Sequence, residues 1–122
     1  MSASKRKGTS YETDVVRFLS QWFPSAERRA LSGTKDKGDV AGIPNVVLEC
    51  KNEARIDLAG YVDEARAEAS NAGATLFAAV VKRRGKSVSQ SYVVIPLDVF
   101  APLLHRISKL PECNIWFDPE ER

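Results

Sequence analysis

The sequence predicts one α/β domain, a mixed β-sheet flanked by helices in the order α, β, β, β, α, β, β, α. Three observations carry this. Residues 10–22 repeat apolar side chains at helical spacing. Residues 75–81 are apolar on both faces, as a strand covered on both sides should be. A helical segment at 58–71 lies between two strand-like runs, the usual right-handed crossover, which makes the sheet partly parallel. At 122 residues the chain has the size of one domain with a core of its own. With 43% apolar and 28% charged residues, it does not have the composition of a disordered chain.

The elements follow in order. Residues 1–8 read as a basic tail carrying Lys5, Arg6 and Lys7, with the domain proper at 9–122. The first helix takes Val15, Val16, Leu19, Trp22 and Phe23 as its apolar stripe. Thr9 and Glu12 have capping-box spacing at its start, and Pro24 stops it. Residues 26–31 form a short strand, and a Gly/Lys/Asp-rich loop at 32–37 leads into a β-hairpin over 39–51. Asp57 caps the second helix, whose buried stripe is Leu58, Tyr61, Val62, Ala65 and Ala69, and Gly73 ends it. After the strand at 75–81 come a basic tip, a strand at 92–95 and a helix at 97–107 that contains Pro102. The segment Cys113 to Phe117 reads either as a last strand or as a partner contact.

Charge and cysteine content narrow the classes. No apolar run reaches the roughly 18 residues of a membrane span and no secretory signal precedes the fold, so the expected location is the cytoplasm. Cys50 and Cys113 are too few for a disulfide scaffold and lack zinc-ligand spacing. Cys50 reads as a core-facing residue. The net charge of +2 does not argue for nucleic acid, but its distribution is uneven. Lys5-Arg6-Lys7 and Lys82-Arg83-Arg84-Gly85-Lys86 are either solvated segments or phosphate contacts. His105 reads as a helix-surface residue near a C-terminal dipole. No second histidine or serine arrangement supports triad hydrolysis, and the glycines form no phosphate-binding loop.

The chemistry concentrates in Gly38-Asp39 and Glu49-Cys50-Lys51. Strand side chains alternate, so Glu49 and Lys51 share one face while Leu48 and Cys50 take the other. Asp39 joins them if the hairpin register sets Ala41 opposite Val47 and Asp39 opposite Glu49. Two carboxylates so placed hold Mg²⁺ or Mn²⁺, and a lysine beside them stabilises charge on a phosphate. A surface salt bridge between Glu49 and Lys51 is the plain alternative. Glu12, in line with Val16, Leu19 and Phe23, is either a capping residue or an acid reaching the same metal.

Asp39…Glu49-Cys50-Lys51 resembles the signature of the PD-(D/E)xK nuclease superfamily, with Gly38 where many members carry proline, a difference expected to be harmless. Together with Glu12 on the first helix, Arg28-Arg29 and Ser32-Gly33, it is similar to the archaeal-type and phage Holliday-junction resolvases over residues 8–95. The resemblance implies a restriction-endonuclease-like fold, with Glu12, Asp39 and Glu49 as metal ligands and Lys51 as catalytic lysine. It also implies an assisting Ser32, a DNA-contacting Arg29 and a homodimer, for which Trp116-Phe117 or the first helix offers a surface. The expected activity is Mg²⁺-dependent endonucleolytic resolution of four-way or other branched DNA, with Mn²⁺ substituting and a 5′-phosphate left on the product. Lys5, Arg6, Lys7, Lys82, Arg83, Arg84 and Lys86 are expected to grip phosphates without reading sequence. The alternatives are a repair or restriction-type nuclease acting on duplex, nicked or flapped DNA, and a non-catalytic DNA-binding module of the same fold.

Overall fold

The computed structural model describes residues 3–29 and 36–111. It is a mixed α/β structure whose elements are α1 (Ala3–Leu19), β1 (Glu27–Arg28), β2 (Val40–Ala41), β3 (Val46–Lys51), α2 (Leu58–Ala72), β4 (Leu76–Val81), β5 (Tyr92–Val94) and α3 (Leu97–Ser108), with a 3₁₀ turn at Val88–Gln90. The strands form two sheets. β1 pairs antiparallel with β2, while β3, β4 and β5 form a mixed sheet in that order.

β3 and β4 run parallel, from Val46 opposite Leu76 to Lys51 opposite Val81, and β5 returns antiparallel along β4. The crossover is α2. Asp57 accepts the Gly60 N–H at 3.0 Å at its start, and Gly73 ends it at φ +66°. Val47, Ala65, Ala69 and Phe77 pack between α2 and the sheet. Tyr61, Ala79 and Val81 extend the same layer. On the other face Tyr11 and Val15 of α1 pack on Val80, with Leu48 and Cys50 beside them. The strand alternation therefore divides β3, with Leu48 and Cys50 toward α1 and Val47, Glu49 and Lys51 toward α2.

Four expectations are corrected in the first part of the chain. The helix begins at Ala3, so Lys5, Arg6 and Lys7 lie in its first two turns rather than in a tail. Thr9 is thus interior and caps nothing; its carbonyl accepts the Thr13 hydroxyl at 3.0 Å. The inward stripe is Tyr11, Val15 and Leu19, whereas Trp22 is 57% exposed. Among the described residues the first strand is Glu27–Arg28, both exposed; residues 30 and 31 of the expected strand lie outside them.

The regular hairpin between β2 and β3 does not form. Gly38, Gly42 and Asn45 all take positive φ, and these bends turn β2 away to pair with β1 instead. At Gly42 a Cβ would lie 2.0 Å from the Ser25 carbonyl oxygen, so only glycine lets the two chain segments approach this closely. Gly38 takes φ +96°, a value closed to proline. A Cβ at this position would also lie 2.9 Å from Val47 Cγ1, so the local backbone favours glycine here. Cys113, Trp116 and Phe117 lie outside the described residues.

Candidate active site

β3 delivers Glu49 and Lys51 to the α2 side, and α2 meets them with Tyr61, Glu64 and Glu68. Lys51 Nζ lies 2.8 Å from Glu64 Oε2 and 3.3 Å from Glu49 Oε1, with the Tyr61 ring centroid at 5.4 Å. The Tyr61 hydroxyl is in turn 3.0 Å from Glu53 Oε1 and from the Arg55 carbonyl. Burial disfavours the Lys51 ammonium, but the Glu64 and Glu49 carboxylates outweigh it and hold its pKa above the usual lysine range.

Asp39 reaches this group through its side chain rather than a ladder. Its N–H donates to the Leu48 carbonyl at 3.0 Å, and its Oδ2 accepts the Cys50 N–H at 2.7 Å. The carboxylate thus lies along β3 near Glu49, whose pKa its charge raises. Burial pushes the Asp39 carboxyl up to about 6 against the Cys50 hydrogen bond, with Glu12 and Asp36 adding to the rise. Glu49 is 5% exposed, and its Oε2 has no hydrogen-bond partner. Burial, a contact with Glu68 and the charge of Asp39 push its carboxyl up to about 10.

A cleft of about 530 Å³ joins Glu12, Asp39, Glu49, Cys50 and Lys51 with Lys7 and Gly8 of α1. A second cleft of about 350 Å³ shares Lys7, Asn52, Glu53 and Ala54 with it and continues to Lys82 and Arg84. Lys7 of one basic segment and Lys82 and Arg84 of the other thus line adjoining clefts, one of which holds the carboxylates.

The expected site residues do not all take the same part. Glu12 lines the cleft, but its Oε1 is paired with Arg28 Nε at 3.5 Å. Glu12, Asp39 and Glu49 are not the tightest acidic set. Among the described residues, the three carboxylates with oxygens within 4.8 Å of one another are Asp36, Glu64 and Glu68. Arg29 donates its backbone N–H to the Asp39 carbonyl at 2.8 Å, and its Nε is buried without a partner. Lys82 Nζ donates to the Arg83 and Lys86 carbonyls and so ties its own loop. Arg83 stacks 4.6 Å over Tyr92, and Lys86 is exposed. Ser32 lies outside the described residues.

Sequence reasoning missed Asp36, Glu64 and Glu68. The signal for Glu68 was present: it falls seven residues after Tyr61 and three after Ala65, inside the apolar stripe of α2. No family model, curated protein or solved structure matches the chain.

Proposed function

We propose that the protein is a Mg²⁺-dependent, structure-specific DNA endonuclease with a restriction-endonuclease-like core, acting on Holliday junctions or other branched DNA. The observation that carries this reading is the meeting of Asp39, Glu49 and Lys51 in a cleft lined by Lys7, beside a second cleft lined by Lys7 and Arg84. Two raised carboxylates, one with an orphaned buried oxygen, are the donor set a hard divalent cation requires, because uncompensated buried anions are costly. Asp39 and Glu49 would hold it, with Glu12 at the rim.

Such a cation would supply Lewis acidity toward the scissile phosphate and toward water. The protein's own groups do the rest. The Cys50 N–H fixes the direction of Asp39. Glu64 and Glu49 keep Lys51 fully charged, so that it stabilises the additional negative charge of the five-coordinate phosphate as water displaces the 3′-oxygen. Lys7 and Arg84 hold the flanking phosphates with no base readout. A homodimer supplies the paired cuts of a resolvase; α3 exposes Leu97, Leu104 and Ile107 as an apolar surface for it.

The test presents a four-way junction, a flap, a nick and plain duplex to the protein with Mg²⁺. Symmetric paired cuts confined to the junction support resolution. Equal cutting of linear duplex replaces it with the repair or restriction reading, and binding without any cutting replaces the enzyme with a DNA-binding module.

A further inference from the structure

Glu68 occupies one of the four buried positions of α2, with Tyr61, Ala65 and Ala69. It is 3% exposed, and neither of its carboxylate oxygens has a hydrogen-bond partner. Glu49 adds a third orphaned oxygen, Oε2. A buried carboxylate left without donors is strongly destabilising unless it takes up a proton or meets a cation. One proton shared between Glu49 and Glu68 satisfies one contact and leaves the other Glu68 oxygen bare.

Two further carboxylates close on Glu68. One oxygen each from Asp36, Glu64 and Glu68 lies within 4.8 Å of the others. That spacing fits an oxygen shell around a hard cation: at metal–oxygen distances of about 2.1–2.4 Å, opposed ligands stand roughly 4.2–4.8 Å apart. The backbone fixes this arrangement. Asp36 Oδ1 accepts the Gly38 N–H at 2.9 Å, and the Asp36 carbonyl accepts Asn71 Nδ2 at 2.9 Å, tying the loop before β2 to the end of α2. Glu64 and Glu68 stand one turn apart on the same helix face.

We propose that Asp36, Glu64 and Glu68 form a second divalent-cation site, for Mg²⁺ or Mn²⁺, under α2 and beside the Asp39–Glu49 pair. The site stands on its own residues and does not require the nuclease reading. It bears on that reading through Glu64, the nearer of the two carboxylates on Lys51. A cation that draws Glu64 away leaves the Lys51 ammonium to Glu49 and the substrate phosphate.

The experiment counts bound Mn²⁺ by the loss of the free-ion electron paramagnetic resonance signal, with folding followed by far-ultraviolet circular dichroism. In Asp39→Asn, which disables the neighbouring pair, one Mn²⁺ per chain is expected to remain. Adding Glu68→Gln should abolish it or weaken it at least tenfold. Asp36→Asn, a change at an exposed residue that keeps an oxygen for the Gly38 N–H, should do the same where Glu68→Gln disturbs the fold. Asp39→Asn binding no Mn²⁺, or Mn²⁺ binding indifferent to both further substitutions, overturns the site. Absence of DNA cleavage by the unmutated protein would reject the nuclease reading and leave this count unaffected.

Discussion

Replacing Glu49 by Gln should stabilise the metal-free protein while removing the proposed nuclease activity. Glu49 is buried among the carboxylates of Asp39, Glu64 and Glu68, and among the described residues its ion-pair partner is Lys51. Its carboxyl is raised from 4.5 to about 10, so between those values the folded chain holds a proton that the unfolded chain releases. Over that window the unfolded state binds fewer protons, and stability falls as pH rises. At pH 7.5 the gap from 4.5 is three pH units, an upper bound of about 4 kcal/mol at 1.36 kcal/mol per unit. Glutamine is neutral at every pH, and its amide can donate to Glu68. The assay is thermal denaturation in EDTA at pH 4 and pH 8. At pH 8 the variant should melt higher, by roughly 3–6 °C for each kcal/mol. At pH 4 the two should nearly coincide, because Glu49 is then mostly protonated in the unfolded chain too. A variant less stable than the parent at pH 8, or an advantage that does not change with pH, refutes the electrostatic account of the site.

Other substitutions probe other parts. Lys51→Met should lower Mg²⁺-dependent cleavage by about 10²–10³-fold, the scale of losing one positioned charge stabiliser, with DNA affinity in a filter-binding assay changed far less. Lys7→Ala and Arg84→Ala together should reduce the slope of log affinity against log salt by about 2, one for each phosphate contact; Lys82→Ala should act on loop stability instead, since its ammonium is engaged by the Arg83 and Lys86 carbonyls. Gly42→Ala places a Cβ against the Ser25 carbonyl at φ +88° and should destabilise the chain in urea unfolding by at least about 1–3 kcal/mol, with loss of the β1–β2 pairing that supports Asp39.

Local signals with one interpretation were legible in the sequence. Asp57 and Gly73 bracket α2, the two-sided apolar run of β4 marks a covered strand, and simple alternation places Glu49 with Lys51. Signals open to a competing interaction misled. Thr9 and Glu12 have capping-box spacing, yet the chain is already helical there; Gly8 and three cations near a helix N-terminus weaken the local signal for that early start. The apolar run into Glu49-Cys50-Lys51 points to a hairpin, but the path of the chain depends on three positive-φ residues, Gly38, Gly42 and Asn45, and β2 pairs with β1 instead. Asp39 still reaches Glu49, by accepting a backbone N–H rather than by facing it across a ladder. A helical stripe taken from apolar residues alone leaves out a buried acid such as Glu68, while Glu64, exposed and paired with Lys51, carries no signal in the sequence that sets it apart from other surface acids.

The most direct measurement is cleavage of an end-labelled four-way junction by the unmutated protein and by Asp39→Asn, each with Mg²⁺ and with EDTA. Asparagine keeps an oxygen for the Cys50 N–H, so the fold is retained while the anionic ligand is lost. Paired cuts bearing 5′-phosphates with the unmutated protein and Mg²⁺, and none in the other three reactions, are the predicted result. Cleavage that persists in EDTA, or that is equal in Asp39→Asn, would contradict a metal-dependent centre built on Asp39, Glu49 and Lys51.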